Sequence, residues 1–277
     1  MILDGKKIKN EILDELQSEV LKLVPKPSFI VIQVGNNEAS NIYIKQKVKM
    51  AEYVGYDYQY LKLDEQTTED SLLQVIDKLN HDDHIHGILV QMPLPNHIDP
   101  LIIQNAISPE KDIDGLSDIN AGKLFHNQDA LYSCTPYGVM ELLNRYDIDV
   151  SGKHAVVVGR SNLVGKPMAI MLLNAGATVT ICHSQTENLA RYTKEADILV
   201  VAVGKPQLIT ADMVKDDAII VDVGITRVND KLCGDVDYDN VLAKCAYITP
   251  VPGGVGPMTI AMLGKNILKA YKRQKVK

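Results

Sequence analysis

The segment Lys153–Gly165 reads KHAVVVGRSNLVG, and it predicts the fold of the second half of the chain. His154–Val158 is an apolar run of strand length, Gly159 opens a turn after it, and residues 165–175 have a helical pattern. A strand, a glycine turn and a helix start form an anion site, because glycine lets the backbone approach a pyrophosphate and helical N–H groups point at it. Ser161 stands where the middle glycine of GxGxxG would be, so a plain tight turn is the alternative.

The residues after the next strand bear on which dinucleotide binds. An NAD site usually carries Asp or Glu there to hold the ribose 2′-hydroxyl. In this chain the strand Thr178–Cys182 is followed by His183 and Ser184, without a carboxylate. Arg160 lies in the glycine turn, and an arginine together with a hydroxyl suits a phosphate dianion. These residues favour NADP over NAD, with an ordinary surface arginine as the alternative for Arg160.

Strand and helix patterns alternate along the chain, which predicts parallel βαβ units. The predicted fold class is therefore α/β: two α/β domains with a cleft between them, the second a Rossmann-like doubly wound parallel sheet. We predict one domain over residues 1–135, joined by the C-terminal helix at about 257–277, and a second over residues 136–256. The other predicted strands are Phe29–Val34, Tyr58–Leu63, Gly87–Met92, Ile198–Ala202, Ile219–Val223 and Tyr247–Ile248, and the other predicted helices cover 5–24, 37–54, 69–80, 136–145 and 187–194.

The composition limits the classes of function. The chain has 277 residues and a formal net charge of -6, so its charge gives no reason to bind nucleic acid or an anionic membrane. No apolar stretch reaches the length of a transmembrane helix, and the N-terminus lacks the apolar core of a signal peptide. None of the four cysteines forms a CxxC pair. We therefore expect free thiols, no membrane or nucleic-acid partner, and a cytoplasmic location.

Tyr43 and Lys47 are the first candidates for chemistry, because residues four apart share one face of a helix. A YxxxK pair is typical of short-chain dehydrogenases, but there it follows the glycine loop, and here it precedes that loop by more than a hundred residues. Taken alone, the pair is most simply explained as exposed helical side chains. Gln91 is a polar residue in an apolar strand and needs a hydrogen-bond partner if it is buried.

Two other segments resemble sites but lack the full set of residues. HDDHIH at 81–86 carries three histidines, but their spacing in a polar loop matches no common metal site. We expect a solvated loop there and no metal. Ser133–Pro136 contains Cys134 without an accompanying His–Asp arrangement, so a helix start is the better interpretation.

Five motifs in register carry a resemblance that covers essentially the whole chain. They are SNIYIKQK (Ser40–Lys47), VQMPLP (Val90–Pro95), PEKDIDG (Pro109–Gly115), GRSNLVGKP (Gly159–Pro167) and TPVPGGVGPMT (Thr249–Thr259). Their order and spacing resemble the bifunctional methylenetetrahydrofolate dehydrogenase/methenyltetrahydrofolate cyclohydrolase family. The resemblance implies NADP-dependent oxidation of 5,10-methylenetetrahydrofolate to 5,10-methenyltetrahydrofolate, followed by hydrolysis to 10-formyltetrahydrofolate.

The resemblance also implies roles for single residues. Lys47 is implied as the general acid/base and Gln91 as the residue hydrogen-bonded to it. Tyr43 is implied to line the folate site and to help place the lysine, and Asp114 to bind the pterin. The implied loop around the substrate contains Pro252, Gly253 and Gly254. The expected NADP contacts are Gly159, Arg160, Ser161, Gly165, Ser184 and Ile225.

The same resemblance assigns the first predicted domain to folate binding and catalysis and the second to NADP. It further implies a homodimer through the nucleotide domain and a place in tetrahydrofolate interconversion and purine biosynthesis. Three alternatives stay open. They are a dehydrogenase without useful cyclohydrolase turnover, a non-catalytic NADP- or folate-binding protein, and an unrelated NADP dehydrogenase acting on a hydroxy acid. The set Lys47, Gln91 and Asp114 argues against a binding protein, which has no need of the lysine.

Overall fold

The structure, a computed structural model, describes residues 1–229 and 231–275, without the side chain of residue 39. The chain divides into two compact units, each with its own parallel sheet. We name them by their sheets: the three-stranded unit consists of Asn10–Cys134 and the chain from Ile260 onward, and the five-stranded unit consists of Met1–Lys9 and Thr135–Thr259.

The N-terminal residues belong to the five-stranded unit, whereas the predicted division placed them in the first domain. The physical reason is backbone pairing with the last strand of that unit. Leu3 N donates to Ile248 O at 2.8 Å, and Ile248 N donates to Met1 O at 3.0 Å. The predicted end of the C-terminal helix at residues 276–277 lies outside the described residues.

The three-stranded unit alternates helices with parallel strands in the order β2-β1-β3. Its core is formed mainly by β-branched and leucine side chains, and Ile32 and Ile88 at its centre are fully buried. The elements, in chain order, are α1 (Gly5–Val20), β1 (Ser28–Val34), α2 (Glu38–Val54), β2 (Asp57–Leu63), α3 (Glu69–Asn80), β3 (Gly87–Val90), α4 (Pro100–Ala106) and α5 (Asp118–Phe125). α1 begins in the residues assigned to the other unit.

Capping explains where two of these helices begin and end. The Asn37 side chain accepts a hydrogen bond from Ser40 N at the start of α2, and Gly55 closes that helix in the left-handed conformation. The Thr68 side chain accepts from Ser71 N at the start of α3. The predicted helix 5–24 is shorter than expected and ends at Val20. The short helices α4 and α5 were not predicted.

The five-stranded unit has parallel strands in the order β10-β7-β6-β4-β5. The eight strands predicted for the whole chain are all present within two residues of their predicted bounds, whereas the antiparallel pair β8–β9 and α9 were not predicted. The elements are α6 (Cys134–Arg145), β4 (His154–Val158), α7 (Gly165–Asn174), β5 (Thr178–Cys182), α8 (Leu189–Thr193), β6 (Ile198–Val201), β7 (Ile219–Asp222), β8 (Thr226–Val228), β9 (Lys231–Cys233), α9 (Tyr238–Leu242), β10 (Tyr247–Ile248) and α10 (Val255–Lys275), which continues into the three-stranded unit.

The strand order locates the ligand crevice of the five-stranded unit. From β4 the chain first adds β5 on one side and then β6 on the other, so the order reverses at β4. In doubly wound sheets the crevice lies outside the carboxyl ends of the strands at this reversal. The loops that follow β4 and β6 are therefore the ones that shape the site.

The described chain contains no helix that is both long enough and apolar enough to cross a bilayer.

Candidate active site

Lys47 and Gln91 form a buried pair in the three-stranded unit. Lys47 lies on α2 with 8% of the residue exposed, and its Nζ donates to Gln91 Oε1 at 2.9 Å. Gln91 follows β3, where its backbone N–H donates to Ile32 O at 2.8 Å and so continues the sheet. The Gln91 amide is itself oriented, because its Nε2 donates to Met92 O at 2.7 Å. The exposed helical lysine that the sequence alone favoured is therefore wrong, and the expected Lys47–Gln91 hydrogen bond is present.

The surroundings of Lys47 make its amine easier to deprotonate. Burial lowers the pKa of Lys47 below its ordinary value, and the charge of Asp114 only partly opposes this effect. Burial likewise raises the pKa of Asp114, with the nearby Lys47 opposing it. Opposite shifts of this kind are typical of sites that transfer protons near neutral pH.

A tight loop brings Asp114 to the same site. The segment before it runs beside β3, where Ile88 N donates to Lys111 O at 2.7 Å. The buried Asp112 carboxylate holds the loop closed by accepting from Gly115 N at 3.0 Å and from Ser117 N at 2.8 Å. Of the two aspartates in this motif, the resemblance singled out Asp114. The structure gives them different surroundings: Asp112 accepts from amides of the loop, and Asp114 lies close to Lys47 and Cys134.

Cys134 and Asn266 are site neighbours that sequence reasoning left without a role. The Asn266 side chain is fully buried, and its Nδ2 donates to Ile113 O and Tyr132 O, both at 2.9 Å. The Cys134 Sγ donates to Ile113 O at 3.6 Å, and burial, together with the nearby Asp114 charge, raises the pKa of the thiol well above its ordinary value. Cys134 also begins α6, so the predicted helix start is confirmed.

Tyr43 lies one helical turn before Lys47 on α2, and 48% of the residue is exposed. Its ring is therefore available to a ligand that approaches the face of α2 carrying the lysine. The structure thus brings Lys47, Gln91 and Asp114 together and leaves Tyr43 at the accessible side of α2.

The predicted nucleotide turn adopts a conformation that depends on its glycines. Gly159 has φ +135°, and a Cβ atom there would lie 2.5 Å from Ala202 O in the loop after β6. A Cβ at Gly165 would lie 2.3 Å from Gly159 O. Ser161 Oγ accepts from Val164 N at 3.1 Å and Gly165 N at 3.3 Å. The first amides of α7 are therefore already paired, which differs from the unpaired helical N–H groups that the sequence suggested.

Arg160 is exposed in this turn, and its Nη2 atom lies 3.4 Å from Gln185 Oε1 as a hydrogen-bond donor. Gln185 follows Ser184 in the exposed turn after β5. The Arg160 guanidinium and the Ser184 hydroxyl thus lie on neighbouring turns at the carboxyl edge of the sheet. No Asp or Glu occurs between these two residues in the sequence.

The predicted substrate loop lies in the five-stranded unit beside Ile225. Its turn is closed by Gly254 N, which donates to Pro250 O at 2.8 Å, and Gly253 has φ +116°. A Cβ at Gly256 would lie 3.5 Å from Ile225 Cδ1, so Ile225 contacts the end of this loop. Pro252 is exposed at its tip.

Two family models match the chain, one to each half. Residues 3–114 match "Tetrahydrofolate dehydrogenase/cyclohydrolase, catalytic domain", and residues 133–275 match "Tetrahydrofolate dehydrogenase/cyclohydrolase, NAD(P)-binding domain". The chain belongs to the tetrahydrofolate dehydrogenase/cyclohydrolase family. The family that the five motifs resembled is therefore confirmed.

Relatives and solved structures of this family match along its full length. A bifunctional protein FolD of Agathobacter rectalis is 51% identical over 276 residues, which cover 98% of this chain and 99% of the relative. The crystal structure of the bifunctional FolD enzyme of Campylobacter jejuni matches with a TM-score of 0.97 and 48% identity, covering 99% of each chain. The Trypanosoma brucei family enzyme, complexed with NADP cofactor and inhibitor, matches with a TM-score of 0.94 and 37% identity, covering 100% of this chain and 98% of that one. The α/β class with a Rossmann-like C-terminal half is confirmed.

The lowered pKa of Lys47 makes the stability of this family member depend on pH. Between the folded pKa and the ordinary value of 10.5, the unfolded chain holds a proton that the folded chain lacks. The free energy of unfolding therefore rises with pH through this window. We predict that the wild-type protein gains stability relative to Lys47→Met between about pH 7 and about pH 10, measured by urea unfolding at both pH values.

The matched control is Lys45→Met, which removes an exposed lysine from the same helix. If the free energies of unfolding of wild type and Lys47→Met changed in parallel with pH, the lowered pKa of Lys47 would be contradicted.

Proposed function

We infer that this chain is a bifunctional enzyme of one-carbon metabolism. It oxidises 5,10-methylenetetrahydrofolate to 5,10-methenyltetrahydrofolate with NADP and hydrolyses that product to 10-formyltetrahydrofolate. The predicted function, enzyme class and cofactor are confirmed by the family models and by relatives about half identical along the full chain. The observation that carries the residue-level proposal is the buried Lys47–Gln91 pair beside Asp114.

The oxidation requires positioning more than proton transfer. The methylene carbon between the two folate nitrogens loses a hydride, which NADP accepts when bound. The lone pairs of those nitrogens stabilise the cation that forms, so no side chain has to move a proton. The task of the protein in this step is to hold the methylene carbon and the nicotinamide at reacting distance.

The hydrolysis depends on proton transfer, and we assign this to Lys47. A water oxygen bonds to the methenyl carbon, one C–N bond breaks, and the nitrogen that leaves takes up a proton. A neutral Lys47 amine accepts a proton from the attacking water, and the resulting ammonium donates to the leaving nitrogen. The reaction as a whole releases one proton, because the methenyl substrate is a cation and the formyl product is not. Gln91 orients the amine without adding charge.

Asp114 and Tyr43 are assigned to the folate site of the three-stranded unit. Substrate contact is also assigned to Pro252, Gly253 and Gly254, on the strength of the family motif that contains them. A carboxylate can accept two N–H donors from the edge of a pterin ring, which fixes its orientation. The Asp114 loop is rigid enough for this role, because Asp112 and Asn266 hold its backbone. The exposed Tyr43 ring offers an apolar face to the folate.

The NADP site is proposed at the carboxyl edge of the five-stranded sheet. Gly159 and Gly165 allow close backbone packing in this turn, because a Cβ at either position would meet a backbone oxygen, and Ser161 fixes the turn between them. Arg160, with Ser184 on the next turn, is assigned to the 2′-phosphate. Ile225 is assigned to the apolar part of the dinucleotide. These residues fit NADP, because the glycine turn lies at the carboxyl edge of the sheet where the strand order reverses, and the exposed Arg160 guanidinium lies in that turn.

The wider context of the enzyme is part of the same proposal. The three-stranded unit is assigned to folate binding and catalysis and the five-stranded unit to NADP. A cytoplasmic location is supported by four free cysteines, the thiols expected in a reducing compartment. A role in purine biosynthesis is supported by the product, because 10-formyltetrahydrofolate is a formyl donor.

One assay tests the two activities of the wild-type enzyme. The protein is mixed with 5,10-methylenetetrahydrofolate and NADP, and in parallel with NAD. Reduced nicotinamide and methenyl absorbance are followed separately. Absence of nicotinamide reduction would contradict the dehydrogenase, and methenyl that decays only at its spontaneous rate would contradict the cyclohydrolase.

Replacing the lysine tests its role. Lys47→Met is expected to lower cyclohydrolase turnover by about 100-fold or more, which is the contribution of a positioned acid/base group, and to affect hydride transfer much less. The measurement is 10-formyltetrahydrofolate formation from methenyltetrahydrofolate, with Lys45→Met as the control. Formyl product at the wild-type rate in Lys47→Met would exclude the proposed role.

Arg160→Gln tests the proposed 2′-phosphate contact. Charge-assisted hydrogen bonds of about 1.5–3 kcal/mol predict a fall of roughly 10- to 100-fold in the ratio of kcat/KM with NADP to that with NAD. Arg191→Gln removes another exposed arginine of the same unit and is the control. An unchanged ratio in Arg160→Gln would show that the arginine does not contact the phosphate.

A homodimer through the nucleotide domain is proposed on the strength of an exposed sheet edge. β5 is the edge strand of the five-stranded sheet, and Ile181 on it is 43% exposed. Light scattering is expected to give twice the chain mass of 30.6 kDa. Ile181→Lys, which places a charge on this edge, is expected to weaken the dimer, and a monomeric wild-type protein at micromolar concentration would contradict the proposal.

A further inference from the structure

Two buried aspartates in the five-stranded unit have no role in the chemistry described above. Asp222 is the last residue of β7 and is 3% exposed, and Asp235 lies between β9 and α9 and is fully buried. Buried carboxylates are costly unless their oxygens accept hydrogen bonds. Here the donors are backbone amides of loops at the carboxyl edge of the sheet.

Asp235 holds the loop that follows β6. One oxygen of its carboxylate, Oδ2, accepts from Val203 N at 2.7 Å and from Gly204 N at 3.0 Å. These are the first amides beyond Ala202, where the chain leaves the sheet. The other oxygen, Oδ1, has no hydrogen-bond partner among the described residues. The contact of Asp235 with the loop is therefore made through a single acceptor atom.

Asp222 holds Asp235 and the loop that follows β7. Its Oδ1 accepts from Gly224 N and Asp235 N, both at 3.0 Å, and its Oδ2 accepts from Val236 N at 2.9 Å. Burial raises the pKa of Asp222 to about 6, so this carboxyl is largely ionised at neutral pH, when it binds the amides best. The two aspartates thus connect the loops after β6 and β7.

Two glycines make room for this arrangement. A Cβ atom at Gly224 would lie 2.2 Å from Asp235 Cγ, and a Cβ at Gly234 would lie 1.9 Å from Asp222 Oδ2. Side chains at either position would displace a carboxylate. Gly224, just beyond β7, is therefore required by the position of the Asp235 side chain.

The loops held in this way border the proposed NADP turn. A Cβ atom at Gly159 would lie only 2.5 Å from Ala202 O. The loop that follows β6 therefore packs directly on the glycine turn. Ile225 follows Gly224, whose amide is bound by Asp222. We propose that Asp235, supported by Asp222, is a positioning residue of the NADP site, which fixes the β6 loop against the nucleotide turn. The proposal rests on the location of the NADP site given above.

The test uses the two activities of one protein, because hydrolysis of methenyltetrahydrofolate needs no NADP. Asp235→Ala removes the acceptor and is expected to raise the KM for NADP and the calorimetric Kd for NADP by about tenfold or more. Its cyclohydrolase kcat/KM is expected to stay within about twofold of wild type. Asp235→Asn keeps one oxygen that accepts both amides, so it is expected to restore NADP binding to within about threefold of wild type.

Asp197→Ala is the matched control. The Asp197 carboxylate also accepts from a backbone amide, His154 N at 2.9 Å, but at the amino end of β4, opposite the nucleotide turn. Its loss is expected to leave the Kd for NADP unchanged. Should Asp235→Ala not fold, Asp235→Ser, which is too short to reach both amides, is expected to show the same weakening of NADP binding.

Two results would overturn the proposal. One is an unchanged Kd for NADP in Asp235→Ala or Asp235→Ser. The other is a parallel fall of NADP binding and cyclohydrolase activity in those variants, which a general loss of structure would give. A wild-type protein that binds NADP without reducing it would contradict the proposed function instead, and the calorimetric comparison would still decide the role of Asp235.

Discussion

The hydrogen bond between the Lys47 amine and the Gln91 amide is the interaction on which the proposed chemistry depends. A lysine buried to this degree needs a partner, and a carboxylate in direct contact would keep it protonated. Gln91 satisfies the amine without adding charge, while Asp114 acts on it through its nearby charge. α2, the end of β3 and the Asp114 loop therefore hold the amine in place while it loses its proton more readily than a solvated lysine does.

Both units use a buried aspartate to fix a loop at the carboxyl edge of a parallel sheet. Amides that leave such a sheet have no neighbouring strand to pair with, and a carboxylate can accept several of them at once. Asp112 does this for the loop that carries Asp114, and Asp235 does it for the loop after β6. Polar groups of the two proposed sites are thereby held on backbone of fixed shape, which is what precise positioning of a substrate requires.

Much of the fold could be predicted from local signals, because apolar runs mark the buried strands, and Asn37 and Thr68 mark helix starts. The helix α5 escaped prediction because it lies in a polar stretch, and its cap, Ser117, is itself bound by Asp112. The site was predictable only in part. The pattern around Lys47 equally fits an exposed helix, and the five motifs in register were needed to choose. The role of Asp235 could not be predicted, because its partner Val203 is distant in sequence and the contact exists only in the folded sheet.

The lowered pKa of Lys47 favours both reactions in the proposed site. The first reaction creates a cation on the folate carbon, and an ammonium held beside it would oppose its formation by like-charge repulsion. A neutral Lys47 amine avoids that repulsion, while the Asp114 carboxylate, when ionised, favours the cation. The second reaction then needs a base close to the same carbon, and Lys47, with its lowered pKa, gives up its proton more readily to serve as that base. Burial of Lys47 against Gln91 therefore explains why one site can first make the methenyl cation and then add water to it.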